Sequence, residues 1–333
     1  KPVRIRVTVE KTGNRILFDF SDCSPQTTGP ANIRPPLVRA CCYYCLVALI
    51  DPFLPINQGL ARVVETRFRE GTVLCPNYPA AVNAYMPTAL VVAEALLQAM
   101  GPLAPEKTIA EGSGSGAIAL GGRARDGKRS YVQYEIFAGG VGARSGKDGV
   151  SATSFHLSNG KIAPVEIIES EFPARLECFE LRRDSGGPGR HRGGLGFVRE
   201  YRILQGDVRF SMRTDKHALA PQGIKGGRPG STGGCIINPR GANERDMPSR
   251  FGDQRLNSGD ILRIERPGGG GIGVACERSP EAVLEDVRQG YVSVERARSD
   301  YKVVVHPNGA EVTLDSVATH ELREREAGSQ KAH

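Results

Sequence analysis

The sequence predicts an α+β fold, rich in strands, with a few helices and several glycine-rich loops. Three observations carry that reading. Short runs alternate apolar and polar residues with period two, two apolar stretches have helical length, and 41 of 333 residues are glycine. That glycine share is well above the usual figure of about 7%. The glycines cluster without a collagen-like period, which predicts shaped loops and not a fibre.

Val3, Ile5, Val7 and Val9 alternate with Arg4, Arg6 and Thr8. Gly13-Asn14 then marks a turn and residues 16–20 return, so a β-hairpin is expected. Pro35 and Pro36 suit the first turn of a helix, where a missing N–H costs nothing. The helix at 37–50 is apolar on nearly all sides and is expected to be buried, with Pro52 and Pro55 as its stop. A second helix is expected over 87–100, stopped at Gly101-Pro102. Eleven glycines follow between 112 and 149, with short strands between them, such as 131–137.

From Val165 the pattern reads mainly as strand: 176–183, 197–204, 207–213 and 260–266. Ser279-Pro280 starts a helix over 281–289 and Gly290 ends it. Residues 322–333 read as a charged helix end with a frayed tail. A soft sub-boundary near 165–175 is compatible with the pattern, and no internal repeat is visible.

The chain begins at Lys1 with a strand already under way by residue 3, which predicts a piece of something longer. Neither a charged-then-apolar leader nor a bilayer-length apolar run is read, so a cytoplasmic location and no membrane role are expected. The net charge of +7 permits nucleic-acid binding. However, the chain has no Trp and no basic stripe interleaved with aromatics, so no nucleic-acid partner is expected. An anionic substrate or an acidic partner accounts for the excess as well.

Metal and thiol chemistry are tested next. Cys42-Tyr43-Tyr44-Cys45 is a CxxC, but a zinc site needs two further ligands, and no second CxxC or nearby His supplies them. The six histidines form no HxxxH or HExxH pair. No metal site is expected in this chain, and the eight cysteines read as reduced, mostly buried thiols.

The segment Asp184-Ser185-Gly186-Gly187-Pro188 imitates the nucleophile loop of trypsin-like proteases. Arg183 replaces the expected glycine, His156 lacks the protease context, and too much chain follows Ser185, so that reading is set aside. In the longer run to Gly196, glycines allow close backbone approach, and Arg190 and Arg192 could hold a carboxylate or phosphate. Arg190, Arg192 and Asp184 are therefore the candidate catalytic residues, with Gly186, Gly187, Gly193 and Gly194 as candidate substrate-binding positions. A tight structural loop whose arginines pair with acidic neighbours is the competing reading. The glycine loops at 223–230 and 267–273 do not fit GxxxxGK[ST], so neither is read as an ATP site.

Together these segments resemble the hydantoinase B/oxoprolinase family. The matching stretches are Asp19 to Gln26 with Gly29-Pro30-Ala31-Asn32, and Pro55 to Gly59. Next come Gly139 to Arg144 with Asp148-Gly149, Pro164-Val165-Glu166 with Glu169, and the loop 184–196. Last are Ser258-Gly259-Asp260 through Gly271, with 287–297 after it. The family's pattern is departed from at Ile272, Val274-Ala275 and Tyr301-Lys302-Val303.

The resemblance implies that residues 1–333 are the C-terminal portion of a hydantoinase B-like domain. It implies a subunit of an ATP-dependent cyclic-amide hydrolase, opening a hydantoin, oxoproline or lactam ring in a small-molecule substrate. The alternatives it leaves open are a ketone carboxylase subunit or a non-catalytic scaffold. It also implies that ATP is bound by an A-type partner subunit, and a divalent metal by an N-terminal portion of the same subunit that this sequence lacks.

Overall fold

The computed structural model describes residues 3–124, 126–154, 156–309 and 311–330. It divides into two compact units: residues 1–109 with 156–158, and residues 110–155 with 159–333. The stretch 165–175 lies inside the second unit. The expected α+β class is what the chain adopts.

In the first unit, strands β1 (Thr8–Thr12) and β2 (Arg15–Asp19) form the expected hairpin. Gly13 takes φ +55 at the turn, which a side chain would resist. Ile5 and Val7 precede the ladder, although the alternation placed them in the strand. Arg4 instead exchanges hydrogen bonds with Ser24. Helix α1 (Pro35–Ile50) begins at the two prolines, as expected. Helix α2 (Gln58–Val63) and strand β3 (Val64–Arg67) follow, and β3 lies parallel to β2. Both elements are too short to leave a periodic mark in the sequence.

Helix α3 (Tyr85–Met100) packs on α1. The thiols of Cys41 and Cys45, one helical turn apart, both point at α3 and donate to the carbonyls of Ala89 and Ala93. Burial raises the Cys41 thiol to about 11 and pushes Cys42 and Cys45 up as well. The CxxC is therefore core packing, and its sulfurs stay protonated. Lys107 Nζ donates to the carbonyls of Leu49 and Ile50, closing the C-terminus of α1 with a cation. The 19-residue run Tyr85–Leu103 is long and apolar enough to cross a membrane, contrary to the expectation that no run reaches that length. Most of it is buried within the unit, with Ala89, Val92, Ala93 and Leu96 fully enclosed, as in a core helix.

The second unit is built around two large antiparallel sheets. Its elements are β4 (Gly116–Arg123), β5 (Ser130–Ile136), α4 (Val165–Glu171), β6 (Ala174–Leu181), β7 (Phe197–Ile203) and β8 (Val208–Thr214). Then come β9 (Gly234–Ile237), β10 (Arg245–Asp246), β11 (Arg250–Leu256) and β12 (Ile261–Glu265). One sheet runs β10-β9-β12-β7-β6 and the other β11-β8-β4-β5. Ile118, Leu120, Phe210 and Met212 from the second sheet join Phe197, Tyr201, Leu262 and Ile264 from the first in one core. The sequence pattern read mainly as strand from Val165; residues 165–171 are instead a helix, beginning after Pro164.

Strand β5 reverses the usual pattern. Its inward side carries Gln133 and Glu135, and its outward side carries exposed Val132, Tyr134 and Ile136. Glu135 is buried because it has partners: Arg199 Nη1 at 2.7 Å, Tyr201 Oη at 2.8 Å and Gln133 Nε2 at 2.6 Å. The Arg199 guanidinium also lies over the Phe179 and Tyr201 rings.

The C-terminal part contains α5 (Pro280–Arg288), α6 (Val294–Tyr301), the hairpin β13 (Val304–Asn308) and β14 (Glu311–Asp315), and α7 (Ser316–Gln330). Ser279 caps α5 through the Ala282 N–H, as expected. The tail residues 331–333 lie outside the described residues.

Removing one partner of a buried ion pair strands the other charge, at a cost of about 3–5 kcal/mol. Glu135→Ala is expected to lose that much unfolding free energy in urea titration, because Arg199 is left enclosed. A loss below about 1 kcal/mol would show that the pair does not hold the two sheets.

Candidate functional site

The glycine-rich loops, separate in sequence, meet in one place in the second unit. Segments 110–113, 139–143, 184–196, 222–230 and 267–273 run beside one another and bond backbone to backbone. Gly187 N–H donates to the Gly269 carbonyl (2.8 Å), Gly269 N–H to Gly194 (2.9 Å) and Gly194 N–H to Val141 (2.8 Å). Gly193 N–H donates to Gly187 (2.9 Å), Gly270 N–H to Glu111 (2.8 Å) and Gly271 N–H to Arg228 (3.0 Å). A Cβ on Gly269 would overlap the Val141 carbonyl, and one on Gly193 would overlap the Gly269 carbonyl. At these positions glycine is required by backbone approach and not by φ.

This geometry decides where the expected site residues stand. Gly187, Gly193 and Gly194 are candidate substrate-binding positions, and their N–H groups are spent within the hub. Arg192 is buried. Its Nε lies 3.3 Å from Asp286, its Nη1 donates to the Gly193 carbonyl at 2.7 Å, and its guanidinium covers the Tyr291 ring. Arg190 is more than half exposed and pairs with Glu277. The two arginines thus do not face one way.

Around Arg192 runs a belt of charge, buried except at Asp148, whose side chain is 34% exposed. Arg278 grips Asp148 with two hydrogen bonds of 2.7 Å and lies 2.8 Å from Asp286. Asp148 also accepts the Arg192 backbone N–H at 2.7 Å. Burial pushes Asp148 up, but the Arg278 guanidinium outweighs it and holds the carboxyl below its usual value. Burial prevails at Asp286, whose carboxyl is raised despite Arg192 and Arg278. Sequence reasoning missed this belt, because its ion-pairing members come from distant segments and only folding pairs them. Its visible traces were the Asp148-Gly149 dipeptide and Arg192, whose loop was also read as one with arginines paired to acidic neighbours.

Asp184 takes φ +61, a left-handed conformation that Asp tolerates better than most residues. Its backbone N–H donates to Tyr291, and its Oδ1 accepts the Ser293 N–H at 2.8 Å, at the start of α6. Asp184 and Gly186 line a cleft of about 210 Å³, with Arg228, Arg296, Asp300 and Tyr301 on its other sides. None of those four was a site candidate in the sequence reading, although Arg228 sits within the second glycine loop and Tyr301 in a departure from the family pattern. In the first unit a groove of about 570 Å³ is lined mainly by Leu46, Leu49, Ile50, Val63, Met100 and Leu103, which offer no acid–base groups.

Among the described residues, no group of three or more His, Cys, Asp or Glu side chains is placed to hold a metal ion. The described residues of this chain thus offer no ligand set for a divalent metal. His156 is partly buried in the first unit beside Tyr44, with Oη 2.9 Å from Nδ1. Burial lowers its pKa to about 4, so it is neutral at pH 7.

Comparison with known proteins places this architecture. The family model described as hydantoinase B/oxoprolinase matches residues 1–275. The putative B-type subunit of a D-/L-hydantoinase from Pseudomonas sp. (strain NS671) is 33% identical over 331 residues, covering 97% of this chain and 55% of that protein. 5-Oxoprolinase 1 of Arabidopsis thaliana is 29% identical over 272 residues, covering 81% of this chain and 20% of its own length. The structure of an ATP-dependent caprolactamase from Pseudomonas jessenii superposes with a TM-score of 0.84 at 27% identity, over 96% of this chain and 56% of that one. An acetone carboxylase in its nucleotide-free structure shares the fold, with a TM-score of 0.85 at 20% identity, over 99% and 49%. The chain thus spans little more than half the length of the hydantoinase relative it matches.

Two substitution tests follow from the geometry. Gly269→Ala is expected to cost about 3 kcal/mol, at the upper end for overpacking, because backbone and not a flexible side chain must yield. Gly252→Ala, where a Cβ meets nothing closer than 3.9 Å, is expected to cost about 1 kcal/mol or less. Arg192→Ala is expected to cost about 2–3 kcal/mol by removing one of the two cations on Asp286 and the bond to the Gly193 carbonyl, and Arg190→Ala under about 1 kcal/mol as a surface pair. Chemical denaturation of the four variants checks both contrasts, and equal costs within either pair would refute it.

Proposed function

Because the chain belongs to the hydantoinase B/oxoprolinase family, we propose that it is part of an ATP-dependent enzyme that opens cyclic amides. One observation carries this reading. The chain is similar along nearly its whole length to a putative hydantoinase component and, at 27% identity, to an ATP-dependent caprolactamase. Both of those names refer to ring amides.

An amide carbonyl is a poor electrophile, and ATP would supply the activation by making the carbonyl oxygen a leaving group. In this proposal ATP is held by an A-type partner, because none of this chain's glycine loops has phosphate-loop spacing. This chain's own share is positional. The hub fixes the loop 184–196, and the charged belt of Asp148, Arg192, Arg278 and Asp286 locks it. Arg190 is the arginine of that loop free to swing from Glu277 toward developing negative charge. Glu277 is itself half exposed, so the pairing is weak and exchangeable.

The expectation of a partner gains support from the outer face of β5. Val132, Tyr134 and Ile136 are exposed there, beside the small Ala117, Ala119 and Gly121 of β4. An edge strand with an open apolar face is usually covered in a functional assembly. The A-type subunit, or the further length that the relatives possess, is the proposed cover.

The chain, joined with its upstream sequence and an A-type subunit, is expected to hydrolyse hydantoin, 5-oxoproline or caprolactam with stoichiometric ADP release. Neither component alone should do so. Arg190→Ala is expected to lower turnover roughly 10²–10³-fold without lowering the melting temperature of the assembly. ATP-independent ring opening, or no turnover of any cyclic amide by a stable assembly, would sink the reading.

A further inference from the structure

We infer that the cleft between the loops 184–188 and 228–231 and helix α6 is a binding site for a small oxyanion, a carboxylate or phosphate group. The inference is independent of the proposed reaction, because it concerns binding to this chain by itself.

The charge arrangement is the first observation. Arg228 Nη1 lies 2.7 Å from Asp300 Oδ1, and Arg296 Nη1 lies 3.0 Å from Asp300 Oδ2. Two guanidinium groups thus share one carboxylate. Asp300 is only 5% exposed, while both arginine side chains are more than half exposed. The buried Asp300 fixes the two cations side by side and spends one donor of each. A guanidinium carries five N–H donors in a planar fork, so each arginine keeps most of its donors for a second acceptor. Paired forks on a common base match an oxyanion with several lone pairs.

The second observation is independent of charge. Tyr301 lines the same cleft, is 1% exposed, and its hydroxyl has no hydrogen-bond partner among the described residues. The hydroxyl itself is enclosed, so Tyr301 contributes wall to the cleft and no hydrogen bond to the ligand. The remaining wall tunes the site. Asp184 carries a carboxylate there, directed to the Ser293 N–H, and it opposes anion binding at that end. The volume of about 210 Å³ limits the ligand to a small molecule or a terminal group.

The full chain is titrated calorimetrically with inorganic phosphate and, separately, with acetate at constant ionic strength. Saturable binding of at least one is expected, and the stronger binder identifies the group the cleft prefers. Arg228→Ala and Arg296→Ala are each expected to weaken binding about tenfold, as loss of one charge-assisted contact does. Tyr301→Phe should leave binding unchanged, because the hydroxyl is enclosed and out of the ligand's reach. Asp184→Asn keeps the acceptor for Ser293 and tolerates positive φ, and it should tighten binding severalfold. The inference is overturned if neither anion binds saturably. Affinity unchanged in the Arg228→Ala/Arg296→Ala double variant, with its fold intact by circular dichroism, would overturn it equally.

Discussion

The structure of the second unit depends on backbone segments approaching closer than any side chain allows. Where Gly269 meets Val141 and Gly193 meets Gly269, a single Cβ would occupy the space of a carbonyl oxygen. Removing the side chains lets five segments hydrogen-bond to one another without forming a regular sheet. Such a bundle pairs its peptide groups with one another, which is the condition for placing irregular backbone inside a protein. It also has little freedom to shift, because each segment of the bundle is the template for the next.

A bundle of bare backbone presents few apolar contacts, so its position must be fixed in another way. Buried arginines do this. Arg266 is fully enclosed and donates to the carbonyls of Ala138 and Gly114, passing through space that Gly116 leaves open. Burial lowers it to about 10, so it still carries its charge at neutral pH. Arg192 and Arg278 anchor the opposite side through Asp148 and Asp286. The design exchanges hydrophobic area for directional contacts, which specify one arrangement more sharply than apolar packing does. The cleft beside Arg228 and Arg296 inherits its rigidity from this scaffold, since its floor is the loop that the scaffold holds.

The two sheets of the same unit use ordinary packing, with one exception at β5. There the polar residues Gln133 and Glu135 point inward and the apolar ones outward. Arg199 and Tyr201 satisfy the inward carboxylate, while the outward apolar side chains stay more than half exposed. That inversion fits a strand that serves two interfaces, one within the unit and one beyond it.

Local pattern determined much of this by itself. Period-two alternation and the Gly13-Asn14 turn fixed the first hairpin. Pro35-Pro36 and the apolar run after them fixed α1, and Ser279-Pro280 fixed α5, because turn, cap and proline chemistry act over only a few residues. The order of the glycine motifs was enough to indicate the family. Helix α4 and helix α6 escaped notice, since short polar helices carry little periodicity and are held by their neighbours. What only the tertiary structure decided is which glycines touch which, and where each arginine points. Arg190 and Arg192 are two residues apart and equivalent in pattern, yet one is exposed and the other is enclosed by Asp286, Tyr291 and Gly193. Arg228 and Asp300 lie 72 residues apart and share a contact of 2.7 Å. Burial and ion pairing are set by long-range packing, and a linear pattern holds no information on which distant segment supplies the partner.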